Sequence, residues 1–146
     1  MTRHQKIGRT MLTRLHHIAI LCSDYAVSKA FYVDGLGFDV LAENWRPDSG
    51  SWKCDLRCGE AQIELFHFPG SPPRPTRPEA CGLRHLAFAV DSVAATLEWL
   101  HGRGIDTEPV RVDPYTGCAF TFFADPDGLP IEIYQNPMPR NDPVVD

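Results

Sequence analysis

Apolar residues alternate with polar or small ones along LHHIAIL, residues 15–21, and again along RHLAFAV, residues 84–90. Alternation of this kind marks a strand with one buried face, so both stretches are predicted strands. Each leads into a cap signal, Ser23 or Asp24 in the first case and Asp91 in the second, and then into helical patterns, YAVSKAFYVD and SVAATLEWLH. Short oxygen-bearing side chains there accept hydrogen bonds from the free N–H groups of a first helical turn. Gly35 and Gly37 stop the first predicted helix, Gly102 and Gly104 the second. Three more strands are predicted in each half: FDVLAEN, SWKCDLR and AQIELFHF, then TEPVRV, CAFTFFA and PIEIYQ. Asp125-Pro126-Asp127-Gly128 is a strong turn before the last of them.

Between the halves lies PGSPPRPTRPEACG, residues 69–82, whose five prolines resist both helix and central strand. The reading is a single domain over 12–136, with modules at 12–68 and 83–136 joined by this linker, and flexible tails at 1–11 and 137–146. Met11 is a candidate true start. The modules repeat at an offset of 68: Leu15 falls on Leu83, His17 on His85, Ala19 on Ala87, Ile63 on Ile131, Glu64 on Glu132 and Phe66 on Tyr134. In each module a histidine precedes a glutamate by 47 residues. The expected fold class is α+β, built from tandem βαβββ modules.

Alternation sorts the side chains. His17, Ala19 and Leu21 share a face, opposite His16, Ile18 and Ile20. His85, Ala87 and Ala89 match the first set, and Leu86, Phe88 and Val90 the second. The bulky series suits packing under a helix; the small residues beside a histidine leave room for a ligand. Glu64 and Glu132 sit mid-strand between aliphatic neighbours. A buried carboxylate there costs several kcal/mol unless it is paired or binds a metal. If the two copies pack together, His17, Glu64, His85 and Glu132 form an N₂O₂ set suited to one divalent ion, Ni or Zn first, with Co, Mn or Fe as alternatives. A single strand histidine or glutamate is more often structural; the matched set of four is what points to a metal. His16 has Arg84 as its counterpart and no matched carboxylate, and His67 falls on the face opposite Glu64, so neither is a candidate.

A formal net charge of −5 in 146 residues argues against nucleic acid as a partner. No apolar run reaches the roughly 18 residues of a membrane span. The segment MTRHQKIGRTMLTR has basic residues but no apolar stretch after them, so it does not read as a secretory signal. Cys22, Cys54, Cys58, Cys81 and Cys118 are odd in number and irregularly spaced, which suits free thiols in a reducing cytoplasm better than disulfides or a cysteine metal site.

LHHIAI with SDYAVSKAFYVDGLGF, then QIELFHF, RHLAFAVDSV and DPDGLPIEIY, resembles the vicinal oxygen chelate superfamily over roughly residues 13–136. That superfamily includes glyoxalase I, bleomycin-resistance proteins, extradiol dioxygenases and methylmalonyl-CoA epimerase. The resemblance implies paired βαβββ modules in a cupped mixed sheet around a divalent metal, with the ligands at His17, Glu64, His85 and Glu132. A complete four-ligand set with Glu64 in the first module looks most like glyoxalase I. It therefore implies a metal-dependent lyase or isomerase that moves a proton between adjacent carbons of an α-oxo or hemithioacetal substrate through a metal-stabilised enediolate. Glu132 is the implied catalytic base, with Glu64 sharing the role. Glutathione or another thiol adduct is among the substrates implied, and a homodimer is expected. The alternatives are a dioxygenase or epimerase of the same superfamily, or a non-catalytic antibiotic-binding protein using Phe66, Tyr134 and Trp45 or Trp52. No organic cofactor is expected.

Overall fold

The computed structural model describes residues 10–136, so most of the first expected tail and the whole of the second lie outside the described residues. In the first module β1 (His17–Cys22) is followed by α1 (Tyr25–Ala30), a π-helical turn (Phe31–Gly35), β2 (Asp39–Arg46), β3 (Ser51–Cys58) and β4 (Ala61–His67). The second module repeats the order with β5 (Leu86–Val90), α2 (Val93–His101), β6 (Arg111–Val112), β7 (Ala119–Ala124) and β8 (Pro130–Gln135). Each module makes one four-stranded mixed sheet, ordered β1-β4-β3-β2 and β5-β8-β7-β6. The first and last strands of each module pair in parallel, and the remaining pairs are antiparallel.

Asp24 and Ser92 cap the helices, accepting from the N–H groups of Val27 and Ala95. Ser92 thus takes the place expected of Asp91, one residue earlier. The first helix widens where a plain α-helix was expected: Leu36 N–H bonds the Phe31 carbonyl five residues back at 2.9 Å. The wider turn accompanies a fully buried Tyr32. The strand expected over 107–112 shrinks to two residues, because Pro109 lacks the N–H a ladder needs. Glu108 still holds β7 through its N–H to the Phe122 carbonyl at 2.9 Å.

The aliphatic faces read from the sequence do form the core. Ile20, Ile63, Leu65, Ile131 and Ile133 are all nearly or completely buried and belong to one cluster with Leu86 and Leu100. That cluster spans both modules. Phe38 packs on Phe88 and Phe31 on Phe123. The Asp125–Gly128 turn of the second module locks onto the first. Tyr32 Oη donates to Asp125 Oδ2 at 2.7 Å inside the core. Asp127 accepts from the Ser23 N–H at 3.0 Å and from the Ser23 hydroxyl. Gly128 completes the turn with a φ of 82°, a left-handed conformation that favours glycine. This turn delivers the chain into β8, and β8 carries Glu132.

Candidate functional site

With the aliphatic faces turned into the core, the opposite face of each sheet carries the predicted polar residues. The parallel register sets Ala19 beside Glu64 and Ala87 beside Glu132, small neighbours that leave space over each carboxylate. His17 Nε2 lies 2.5 Å from Glu64 Oε2, and His85 Nε2 lies 2.9 Å from Glu132 Oε2. The glutamate side chains are only 15% and 13% exposed, so each is largely withdrawn from water and needs the partner it has.

The four predicted ligands are therefore brought together two by two, one pair per sheet. They do not converge within one chain: among the described residues no group of three or more His, Cys, Asp or Glu side chains is gathered closely enough to hold one ion. Each pair stands instead on its own sheet face.

The two half-sites differ sharply in what surrounds them. In the first, Asp55 is the cross-strand partner of Glu64, and two carboxylates directly opposite each other repel. Lys53 offsets that repulsion, its Nζ 2.7 Å from Asp55 Oδ1 and 2.8 Å from Glu64 Oε1. Hydrogen bonds to Asp55 first and Glu64 second hold the Lys53 ammonium above its ordinary pKa. In the second half-site the same register positions hold aromatics. Phe122 faces Glu132 as Asp55 faces Glu64, and Phe120 faces Tyr134 as Lys53 faces Phe66. The His85 ring stands edge-on to Phe122 at 5.1 Å. The Arg111 guanidinium lies over Phe120 and Phe122, 5.0 and 5.5 Å from their centroids. These groups, with Glu132 and the linker residue Arg77, line a cleft of about 980 Å³.

Lys53 and Asp55 were not singled out from the sequence. Alternation in SWKCDLR does put them on one face, but their meeting with Glu64 depends on the β3–β4 register. His16 is also closer to the site than its place in the alternation suggests. It precedes the first residue of β1, and its Nδ1 lies 2.8 Å from His17 Nδ1. Of the aromatics considered for ligand binding, Trp45 and Trp52 do not share the sheet face of Phe66. Trp52 stacks on Tyr25 and packs against Trp45, and it alternates with Lys53 onto the other face of β3. Cys22, Cys54 and Cys118 are buried free thiols, Cys58 is partly buried and Cys81 is exposed.

Comparison with known proteins places these features in context. The Bacillus subtilis uncharacterized protein YwkD is 58% identical over 126 residues, covering 86% of this chain and 98% of that protein. The mouse mitochondrial methylmalonyl-CoA epimerase is 30% identical over 90 residues, covering 59% of this chain and 51% of the relative. Among solved structures, a glyoxalase family protein from Enterococcus faecalis superposes with a TM-score of 0.82 at 48% identity, covering 86% of this chain and 99% of the other. The model of the Glyoxalase/Bleomycin resistance protein/Dioxygenase superfamily matches residues 14–133. The tandem βαβββ chain described above belongs to that superfamily.

Proposed function

We propose that this protein is a divalent-metal-dependent enzyme of the glyoxalase I type, a lyase or isomerase that shifts a proton between adjacent carbons of a small α-oxo or hemithioacetal substrate. The observation that carries the reading is the duplicated His–Glu pair. Two imidazole nitrogens and two carboxylates, each carboxylate largely shielded from water, are the donor set a borderline divalent ion prefers, Ni or Zn above Co, Mn or Fe. His17, Glu64, His85 and Glu132 would hold the ion, which when bound supplies Lewis-acid polarisation of the substrate's neighbouring oxygens.

The chain's own residues do the rest. A His17 Nε2 free to bind an ion carries its proton on Nδ1, and His16 Nδ1 stands ready to accept that hydrogen bond. Glu64 has both oxygens engaged, Oε1 by Lys53 and Oε2 by His17. Glu132 pairs with His85 alone among the described side chains. The less tethered carboxylate is the better proton carrier, so Glu132 takes the base role and Glu64 a mainly ligating one. Because the two pairs stand apart in one chain, the complete site is assigned to a homodimer in which the first sheet of one copy faces the second sheet of the other. The similarity to the mouse epimerase favours a second reading with the same proton abstraction, in which the proton returns to the carbon it left on the opposite face.

Metal analysis of the purified protein, followed by assay of the methylglyoxal–glutathione adduct with Ni²⁺ or Zn²⁺, tests the proposal. About one ion per chain is expected, with weaker metal binding in Glu132→Gln and turnover lost in that variant even when it is saturated with metal. Full turnover by metal-loaded Glu132→Gln would remove Glu132 from the base role, and absence of metal binding would remove the enzyme reading altogether.

A further inference from the structure

Of the two half-sites, the first is ionically closed, with Lys53, Asp55, Glu64 and His17 satisfying one another. The second offers unused surface. Running outward from Glu132 on β8, the open face presents Phe122 and Phe120 on β7, then Arg111 at the β6 edge. Two strand spacings separate β8 from β6, about 10 Å. The guanidinium of Arg111 lies over both phenyl rings, and its ion pair with Glu108 is a 3.3 Å contact with both side chains more than half exposed. A pair so exposed contributes little and gives way easily to a better acceptor. Arg77 reaches the same cleft from the proline-rich linker, and it makes no ion pair with another described residue. The cleft thus joins the His85–Glu132 pair, an apolar wall of two phenyl rings set nearly perpendicular to each other, and two cations.

We propose that the α-oxo substrate of this site carries an aromatic body and a carboxylate, with its vicinal oxygens at the His85–Glu132 end and its carboxylate at Arg111, supported by Arg77. The proposal rests on the metal-site reading above and adds the class of molecule it serves. The aromatic body packs among Phe122 and Phe120, face-on to one ring and edge-on to the other, contacts that need no hydrogen bond. Arg111 holds the acid as a two-pronged donor, which lysine would not match. Recognition by these groups rejects a neutral analogue of the same shape, because the guanidinium loses its charged acceptor.

The test uses protein loaded with redox-inert zinc and, under anaerobic conditions, two probes, caffeate (3,4-dihydroxycinnamate) and its primary amide, whose vicinal oxygens and far end are separated by one ring and one double bond. Titration calorimetry is expected to give at least tenfold tighter binding of the acid than of the amide. Arg111→Met should reduce that ratio to about threefold or less at unchanged zinc content, with Arg77→Met making a smaller cut, while Phe122→Ala weakens both probes alike. Equal affinities for acid and amide in the parent protein, or a ratio that survives Arg111→Met, would overturn the proposal. Zinc content is measured in every sample, and the acid-to-amide ratio is measured on metal-free protein as well. A protein that fails to bind zinc yet keeps the ratio refutes the metal reading and leaves the acid preference standing.

Discussion

Replacing Tyr32 by phenylalanine removes one hydroxyl and almost nothing else. Its consequence follows from where that hydroxyl ends. Tyr32 is completely buried, and its Oη donates to Asp125 Oδ2 at 2.7 Å; Asp125 itself is 5% exposed. The carboxylate keeps two other donors, the N–H groups of Asp127 at 2.9 Å and Leu129 at 2.8 Å, both on Oδ1. The variant therefore leaves Oδ2 buried without that donor, where water cannot readily replace it. Hydrogen bonds to charged groups contribute about 1.5–3 kcal/mol, and the two surviving donors argue for the middle of that range, about 2 kcal/mol. For a chain of this size that is a fall in Tm of roughly 8 °C. The assay is urea unfolding followed by circular dichroism, with Tyr115→Phe as control; Tyr115 is 95% exposed and its variant should stay within about 0.5 kcal/mol of the parent. The pH dependence provides a second readout. Burial first and Asp125 second raise the Tyr32 pKa above its ordinary value. The folded phenol thus stays protonated where the unfolded one ionises, and the stability it contributes is lost as pH rises above about 10. Tyr32→Phe should flatten that alkaline decline. A loss below about 0.5 kcal/mol with an unchanged alkaline slope would refute the reasoning, because it would mean that Asp125 does not depend on this donor.

Other outcomes follow from the same geometry. His17→Ala should cost about 100-fold or more in zinc affinity and His16→Ala about tenfold, since one removes a proposed ligand and the other only its proposed orienting partner; competition with a chromogenic chelator checks the order, and equal losses would contradict it. If complete sites form between copies, a mixture of His17→Ala and His85→Ala chains should recover up to half of the parent metal per heterodimer after subunit exchange, by native mass spectrometry; no recovery in verified heterodimers would place each site within one chain. Burial pushes the Cys22 thiol up to about 11. The folded thiol then keeps its proton after the unfolded one has lost it, so stability should fall between pH 9 and 11 by up to about 3 kcal/mol, and Cys22→Ser should reduce that fall. In native protein at pH 8, Ellman's reagent should label Cys81 rapidly and Cys22, Cys54 and Cys118 only on unfolding.

Much of this molecule is legible in the order of its residues. The repeat at an offset of 68 names His17 and His85, Glu64 and Glu132, and the two-residue period of a strand assigns each side chain to its face. Both are local properties, fixed by backbone geometry whatever the rest of the chain does. Ile63, Leu65, Ile131 and Ile133 went into the core for that reason, and the paired glutamates came out on the opposite face. Proline chemistry was only half legible. It marked the linker at 69–82, but the shortening of β6 around Pro109 was not foreseen. What tertiary structure alone decided is which residues meet across strands and between modules. The β3–β4 register put Lys53 between Asp55 and Glu64, whereas the β7–β8 register put Phe122 opposite Glu132, so two halves with one repeated pattern differ in charge and apolar character. The latch from Tyr32 to Asp125 joins residues 93 apart, and the separation of the two His–Glu pairs depends on how the sheets pack, not on either strand. A one-dimensional period carries no information about such distances, because they are set by the packing of elements whose local patterns are already satisfied.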